Sequence, residues 1–286
     1  MSSPMDRYCV LGNPVEHSKS PAIHARFAEL TGQAMDYSKL LAPLDDFPGT
    51  LQRWMDSGGR GCNVTVPFKF EAFLLASNAT ERAQLAQAAN TLKFDGGLIA
   101  ADNTDGIGLV NDIQNNAGLS LAGRDLLLLG AGGAAAGVLG PLLVAGPRRL
   151  VVANRTQARA AELVARHAKH PSLQQLLQKT ELLAHDLQGL EADFDVIINA
   201  TASSLSGAAL ALEPRLLKPR ALAYDMMYGA AAQDFAAWAR AHGAVPRDGL
   251  GMLVEQAAES FLFWRGVRPP STQVLQEMQA QLKAAA

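Results

Sequence analysis

The stretch LLLLGAGGAAA at residues 126–136 constrains the fold more than any other part of the sequence. Its four leucines predict a parallel strand that is covered on both faces. Gly130, Gly132 and Gly133 then predict a tight turn before a helix, where backbone N–H groups and the positive end of the helix dipole can bind an anion. With Ala135 in the third position, the spacing fits the dinucleotide-binding fingerprint. A close packing of strand on helix, without a ligand, is the alternative.

A repeating pattern of strands and helices follows this turn. Short apolar runs alternate with helical segments as far as residue 248, which is typical of a doubly wound parallel sheet. The predicted strands lie at residues 126–129, 150–153, 181–183, 196–199 and 222–225. We therefore predict an α/β protein with a Rossmann-type domain in this part of the chain.

The end of the second of these strands distinguishes between the two nicotinamide dinucleotides. An NAD-binding sequence usually has an acid roughly 20 residues after the first glycine, where it holds the adenosine ribose. This chain instead has Asn154, Arg155 and Thr156, with Arg159 four residues beyond Arg155. Guanidinium groups bind phosphate bidentately, so the pattern favours NADP over NAD, with Thr156 as a helix cap. The alternative is that Arg155 only packs on the helix.

Two serines mark a strand-to-helix junction near the amino terminus. A strand at residues 8–11 ends in a turn, and Pro21 suits the first position of a helix. Ser18 and Ser20 lie between them, at a strand end where open α/β sheets usually bind small polar ligands. Ser20 also suits the helix N-cap, so its hydroxyl has two possible roles.

A lysine stands at an unfavourable helical position. Apolar and polar side chains alternate in residues 62–66, which predicts a strand, and Pro67 then starts a helix. Lys69 falls in the first turn of that helix, where the macrodipole opposes a cation. A surface lysine packed over Phe68 is the common alternative, but the position makes Lys69 a candidate for general acid–base chemistry.

A cluster of polar residues comes at another predicted strand-to-helix junction. The sequence DNTDG at residues 102–106 favours a turn and a helix cap, although an aspartate there can equally face a cleft. We place the domain boundary at this junction.

Gln256 lies beside the apolar stripe of a long helix, and a buried amide must bond either the backbone or a ligand.

Composition excludes several classes of protein. A chain of 286 residues is long enough for two domains, and its net charge of −2 leaves no basic surplus for nucleic acid. Cys9 and Cys62 are isolated in apolar stretches, which predicts reduced, buried thiols, and the scattered histidines predict no metal site. No apolar run approaches the ~20 residues of a membrane span, and no secretion segment is seen. We expect a cytoplasmic protein, as a monomer or a homodimer.

Eight blocks of sequence, in order along nearly the whole chain, resemble the shikimate dehydrogenases. They are GNPVEHSKSP at 12–21, NVTVPFK at 63–69, AANTL at 88–92, DNTDG at 102–106, GAGGAA at 130–135, ANRT at 153–156, NAT at 199–201 and DGLGMLVEQ at 248–256. The resemblance implies a substrate domain at residues 1–105, completed by 249–286, and an NADP domain at 106–248. It also implies the reversible, NADPH-dependent reduction of 3-dehydroshikimate to shikimate in aromatic amino-acid biosynthesis.

The resemblance also implies roles for individual residues. Lys69 would be the general acid and base, and Asp105 would orient it. The substrate would be held by Ser18, Ser20, Asn63, Thr65, Asn90, Asp105, Tyr228 and Gln256. The cofactor would be held by Gly130, Ala131, Gly132, Gly133, Ala134, Asn154, Arg155, Thr156, Arg159, Thr201, Met226 and Gly249. Ala202, Ser203 and Ser204 replace a stretch where many relatives have a glycine, and Gly229 stands where the family often has proline.

Two other functions remain open. A quinate/shikimate dehydrogenase that uses NAD is one, but the acid expected after its second strand is absent here. A non-catalytic regulator that binds a metabolite on the same fold is the other. Such a module has no need of a lysine and an aspartate placed as Lys69 and Asp105 are.

Overall fold

The computed structural model describes residues 5–201 and 212–284. The chain divides into two compact units, one formed by Met1–Gly108 with Leu253–Ala286 and the other by Leu109–Met252. We call them unit 1 and unit 2. Ala202, Ser203 and Ser204 lie outside the described residues.

Each unit contains one six-stranded sheet. The strands are β1 (Asp6–Gly12), β2 (Met35–Leu41), β3 (Gly59–Val64), β4 (Asn78–Ala79), β5 (Thr91–Asp95), β6 (Leu98–Asp102), β7 (Asp125–Leu129), β8 (Arg149–Ala153), β9 (Glu181–His185), β10 (Phe194–Asn199), β11 (Leu217–Asp225) and β12 (Val245–Arg247). The helices are α1 (Ser20–Thr31), α2 (Phe47–Asp56), α3 (Lys69–Leu74), α4 (Glu81–Ala86), α5 (Asp105–Asn111), α6 (Gly133–Val144), α7 (Gln157–Ala168), α8 (Gln174–Leu177), α9 (Gln233–Ala241), α10 (Leu250–Arg265) and α11 (Ser271–Ala284).

The sheet of unit 1 is mixed. Its strand order is β2-β1-β3-β5-β6-β4, with β1 parallel to both β2 and β3, and β5 antiparallel to both β3 and β6. One face of this sheet packs into an apolar cluster that includes Leu11, Val64, Phe68 and Leu92. The ends of β3 and β6 lead directly towards α3 and α5, so the first residues of these helices, Lys69 and Asp105, come at strand ends.

The sheet of unit 2 is parallel throughout, with the order β12-β11-β10-β7-β8-β9. The four leucines at residues 126–129 are fully buried, as a strand covered on both faces requires. The chain order reverses between β7 and β10, and the glycine-rich turn directly follows β7 at this switch point. The predicted α/β fold with a Rossmann-type domain is confirmed.

Three strands were absent from the prediction, and one predicted helix cap was wrong. The missing strands β2, β4 and β12 are edge strands, with polar or partly exposed residues and hence no continuous apolar run. Helix α1 begins at Ser20 itself, because the N–H of Ile23 bonds the carbonyl of Lys19 and makes Lys19 the N-cap. The Ser20 side chain therefore has no capping role, while its N–H donates to Ser18 Oγ at 3.3 Å.

Two buried histidines are expected to make stability depend on pH. Burial lowers the pKa of His24 to about 3 and that of His167 to about 4. An unfolded histidine has a pKa of about 6.5, so below that pH the unfolded state binds more protons than the folded state. The free energy of unfolding should therefore fall by about 1 kcal/mol per buried histidine between pH 6.5 and 5.5.

Urea unfolding at pH 7.5, 6.5 and 5.5 measures this loss. His167→Leu should remove about half of the histidine contribution. A His167→Leu protein with an unaltered pH dependence would contradict the assignment.

Candidate active site

Lys69 and Asp105 form an ion pair in unit 1. Lys69 Nζ donates to Asp105 Oδ2 at 2.6 Å, and the two side chains are 18% and 8% exposed. Each is the first residue of its helix, where unpaired N–H groups favour a carboxylate and oppose an ammonium. Asp105 therefore gains from its position, whereas Lys69 depends on Asp105 for a favourable charge partner.

Asn90 holds the second oxygen of the same carboxylate. Its Nδ2 donates to Asp105 Oδ1 at 2.8 Å and to Thr104 Oγ1 at 2.9 Å. Its Oδ1 accepts from the N–H of Thr104 at 2.8 Å, which settles the orientation of the amide. Gln256 Oε1 lies 3.3 Å from Asn90 Nδ2, and Gln256 Nε2 donates to the carbonyl of Leu253. Both carboxylate oxygens of Asp105 are thus held by side chains from α3 and from the residue before β5.

Asn63 joins this network through buried hydroxyl groups. Its Nδ2 donates to the carbonyl of Asn90 at 3.1 Å, to Thr91 Oγ1 at 3.1 Å and to Ser260 Oγ at 3.0 Å. The hydroxyls of Thr91 and Ser260 are 2.7 Å apart, and Ser260 donates to the carbonyl of Gln256. Within unit 1 the structure therefore brings together Lys69, Asp105, Asn90, Asn63 and Gln256.

Four polar residues in this network were not among the predicted site residues. They are Tyr37, Thr91, Thr104 and Ser260. Both threonines stand inside quoted blocks, directly after an asparagine, and Ser260 lies one helical turn after Gln256, so spacing could have found these three. Tyr37 lies in β2, for which the sequence offered no strand signal.

The remaining predicted substrate residues have different surroundings. Ser18 and Thr65 are half-buried and Ser20 is buried, all in unit 1. The Thr65 side chain packs on Gly12, where an added Cβ would lie 2.2 Å from Thr65 Cγ2. Tyr228 belongs to unit 2, and burial raises the pKa of its phenol.

A buried ion pair supports the loop that carries Asp105. Asp102 is 1% exposed and accepts from Arg82 Nε at 2.7 Å, Arg82 Nη2 at 2.5 Å and Thr80 Oγ1 at 2.6 Å. It also accepts from the N–H of Asn103, and Asn103 Oδ1 in turn accepts from the N–H of Asp105. This chain of contacts holds the backbone between β6 and α5.

The glycine-rich turn of unit 2 suits an anion. Gly130 has φ +105°, a conformation that favours glycine, and an added Cβ would lie 3.1 Å from the carbonyl oxygen of Ala200. At Gly132 an added Cβ would meet nothing within 4 Å, so the space beside the turn is open. Helix α6 starts at Gly133 with no side-chain cap and no acid in its first turn. Its first N–H groups are available to a pyrophosphate, so the turn formed by Gly130, Ala131, Gly132, Gly133 and Ala134 fits a dinucleotide.

The end of β8 presents two exposed arginines. Asn154 Nδ2 donates to the carbonyl of Thr156 at 3.0 Å, which closes the loop before α7. Thr156 takes the N-cap position as predicted, although its side chain makes no capping hydrogen bond. Arg155 and Arg159 are exposed, and in residues 5–201 and 212–284 neither is part of an ion pair. Their guanidinium groups fit a phosphate at this strand end.

The other predicted cofactor residues follow β10, β11 and β12. The Thr201 N–H and hydroxyl both donate to Asn199 Oδ1, at 3.1 and 2.7 Å, and Asn199 Nδ2 donates to the buried Asp225. Gly249 lies against Met226, where an added Cβ would be 2.2 Å from the Met226 carbonyl oxygen. A larger residue at position 249 would displace this loop.

Gly229 has a backbone conformation that proline cannot adopt. Its φ is +67°, and proline is restricted to φ near about −65°. A proline at this position would therefore require a different conformation of the loop after Tyr228.

Two features are absent from the described part of the chain. No cluster of three or more His, Cys, Asp or Glu side chains there could hold a metal ion. Among the helices of those same residues, none is both long enough and apolar enough to span a bilayer.

Three family models match successive parts of the chain. The shikimate dehydrogenase substrate binding domain matches residues 10–92, shikimate / quinate 5-dehydrogenase matches residues 112–209, and the shikimate 5′-dehydrogenase C-terminal domain matches residues 249–279. Together they match parts of both unit 1 and unit 2.

Relatives and solved structures agree with these matches. The shikimate dehydrogenase (NADP(+)) of Acidovorax sp. (strain JS42) is 64% identical over 100% of both chains. An Ael1 enzyme from Pseudomonas putida has a TM-score of 0.85 and 45% identity, over 95% of this chain and 97% of that one. A shikimate 5-dehydrogenase from Thermus thermophilus, in complex with NADP(H) and shikimate, has a TM-score of 0.80 and 30% identity, over 95% and 98%. The resemblance of the eight sequence blocks is confirmed: this chain belongs to the shikimate dehydrogenase family.

Proposed function

We propose that the protein is an NADP-dependent shikimate dehydrogenase, which reversibly reduces the 3-keto group of 3-dehydroshikimate to the hydroxyl of shikimate. The observation that carries this proposal is the short hydrogen bond from Lys69 Nζ to Asp105 Oδ2 within a network of buried amides and hydroxyls. A cation that is oriented from one side by a carboxylate can hand a proton to a carbonyl oxygen on its other side.

The chemistry divides between two domains in our proposal, whose limits differ by a few residues from those of unit 1 and unit 2. The catalytic domain is residues 1–105 completed by 249–286, and the NADP domain is residues 106–248. When bound, NADPH supplies the hydride that reaches the carbonyl carbon. In the NADP domain, the glycine-rich turn would hold the pyrophosphate, and Arg155 and Arg159 the 2′-phosphate. Asn154, Thr156, Thr201, Met226 and Gly249 complete the proposed cofactor contacts.

Lys69 performs the proton transfer in this mechanism. Its ammonium gives a proton to the carbonyl oxygen as that oxygen gains negative charge, and in the reverse direction the neutral amine takes the proton from the shikimate hydroxyl. Asp105 holds Nζ in place, and its own position is held by Asn90. The network therefore fixes the proton donor before the substrate binds.

The remaining substrate contacts are also proposals. Ser18, Ser20, Asn63, Thr65, Asn90, Tyr228 and Gln256 would bind the hydroxyl groups and the carboxylate of the substrate. We further propose a cytoplasmic location, which suits the two buried free cysteines Cys9 and Cys62, and a monomeric or homodimeric state.

Spectrophotometry with the purified protein tests the proposed activity. Shikimate with NADP+ should give the absorbance of NADPH, and the rate with NAD+ should be much lower. Faster reaction of quinate with NAD+ would instead favour a quinate/shikimate dehydrogenase. No absorbance change with any of these pairs would favour a metabolite-binding regulator.

A further inference from the structure

The phenol of Tyr37 contacts a residue that we assign to the substrate. Its hydroxyl donates to Asn63 Oδ1 at 2.7 Å. Tyr37 lies in β2 and Asn63 in β3, so this bond links two strands of unit 1. Nothing in the motifs of the sequence assigns a role to this tyrosine.

The Tyr37 ring is held firmly in place. It stacks on the His24 ring, with centroids 4.3 Å apart and planes 10° from parallel, and the Trp264 ring lies 6.2 Å away. Burial raises the pKa of Tyr37 well above its usual value and lowers the pKa of His24 to about 3. The Tyr37 phenol thus remains a neutral hydrogen-bond donor, and the His24 ring on which it stacks remains uncharged, at every pH at which the enzyme would work.

The hydrogen bonds of Asn63 decide what it can offer a ligand. Its Nδ2 has two hydrogens and three protein acceptors, from Asn90, Thr91 and Ser260, so this group has nothing left to donate. Its Oδ1 has two lone pairs, of which Tyr37 takes one. Asn63 can therefore only accept one further hydrogen bond, which a substrate hydroxyl can donate and a carboxylate cannot.

We propose that Tyr37 is a positioning residue of the substrate site, which aims Asn63 Oδ1 at the hydroxyl-bearing substrate. This inference rests on the proposed function, because it takes the ligand of Asn63 to be shikimate. Without the phenol oxygen, the Asn63 side chain is held through Nδ2 alone, so its Oδ1 is less well positioned and binds the substrate less well.

Steady-state kinetics of Tyr37→Phe test the inference. The variant keeps the ring and its stack on His24 but loses the hydroxyl. We expect the KM for shikimate to rise by roughly tenfold, as for one neutral hydrogen bond, with little change in kcat and none in the KM for NADP+.

Tyr8→Phe is the matched control. Tyr8 pairs with Tyr37 in register on the neighbouring strand, and its ring centroid lies 4.6 Å from that of Trp264, but its phenol interacts with Arg265. Loss of the Tyr8 hydroxyl should leave the KM for shikimate unchanged. If both variants raise the KM for shikimate alike, Tyr37 acts only through packing and the inference is wrong.

A double-mutant cycle separates positioning from a general structural effect. In an Asn63→Ala background, Tyr37→Phe should raise the KM for shikimate by less than about threefold, because the main partner is already gone. An equal rise in both backgrounds would overturn the inference while the proposed function stands. A wild-type protein that does not oxidise shikimate with NADP+ would overturn the proposed function and, with it, this role of Tyr37.

Discussion

Replacement of Lys69 by alanine is expected to lower kcat for shikimate oxidation by roughly 10²-fold or more, the usual effect of losing a general acid or base. The ammonium is the only cation bonded to Asp105 among the described residues, and no neighbouring side chain of that network can donate a proton as readily. The KM for shikimate should change much less, because Asn63, Asn90 and Gln256 remain in place. Initial rates over a range of shikimate and NADP+ concentrations measure both quantities.

Lys93→Ala serves as the control for this variant. Lys93 is also a half-buried lysine of unit 1, but its Nζ donates to the carbonyl of Phe263 at 3.3 Å and takes no part in the network around Asp105. Its kcat should match that of the wild type. If Lys69→Ala retains full turnover while it still folds, Lys69 is not the proton donor.

The fold is predictable from the sequence in those strands where the local hydrophobic pattern and the burial agree. The run of leucines in β7 is buried on both faces, so its hydrophobic pattern and its position in the sheet carry the same information. In β2, by contrast, Tyr37 and Ser38 are half-buried and Asp36 is exposed, because the strand forms an edge of the sheet. An edge strand of this kind is stabilised by pairing with β1, which no local pattern reveals.

The residues of the site differ in the same way, because some have a local signal in the sequence and others are brought together only by packing. Lys69 stands out in the sequence because a cation in the first turn of a helix is electrostatically unfavourable. Gln256 stands out as a polar residue beside an apolar helical stripe, whereas Asn63 and Asn90 come from the resemblance alone. The contacts among these three residues depend on the packing of α10 against β5, which is far away in sequence. The role of Tyr37 depends on its long-range contact with Asn63, so no spacing rule identifies its partner.

Replacement of both Arg155 and Arg159 by alanine is expected to raise the KM for NADP+ by roughly 10²-fold and to leave the KM for NAD+ unchanged. A hydrogen bond to a charged group contributes about 1.5–3 kcal/mol, so losing two such contacts to the 2′-phosphate accounts for an effect of this size. NAD+ has no 2′-phosphate and makes neither contact. Steady-state rates with each cofactor at saturating shikimate measure the two constants.

The KM for NAD+ in the double variant shows whether the arginines bind the 2′-phosphate or only support the loop. Arg240→Ala removes another exposed arginine of unit 2, on α9, and should change neither constant. If the double variant raises the KM for NADP+ and the KM for NAD+ equally, the arginines support the turn at the end of β8 and do not select the phosphate. If the KM for NADP+ is unchanged, the 2′-phosphate binds elsewhere. If the double variant raises only the KM for NADP+, and the rise is smaller at high salt, two exposed guanidinium groups bind the phosphate, because salt screens charges that face water.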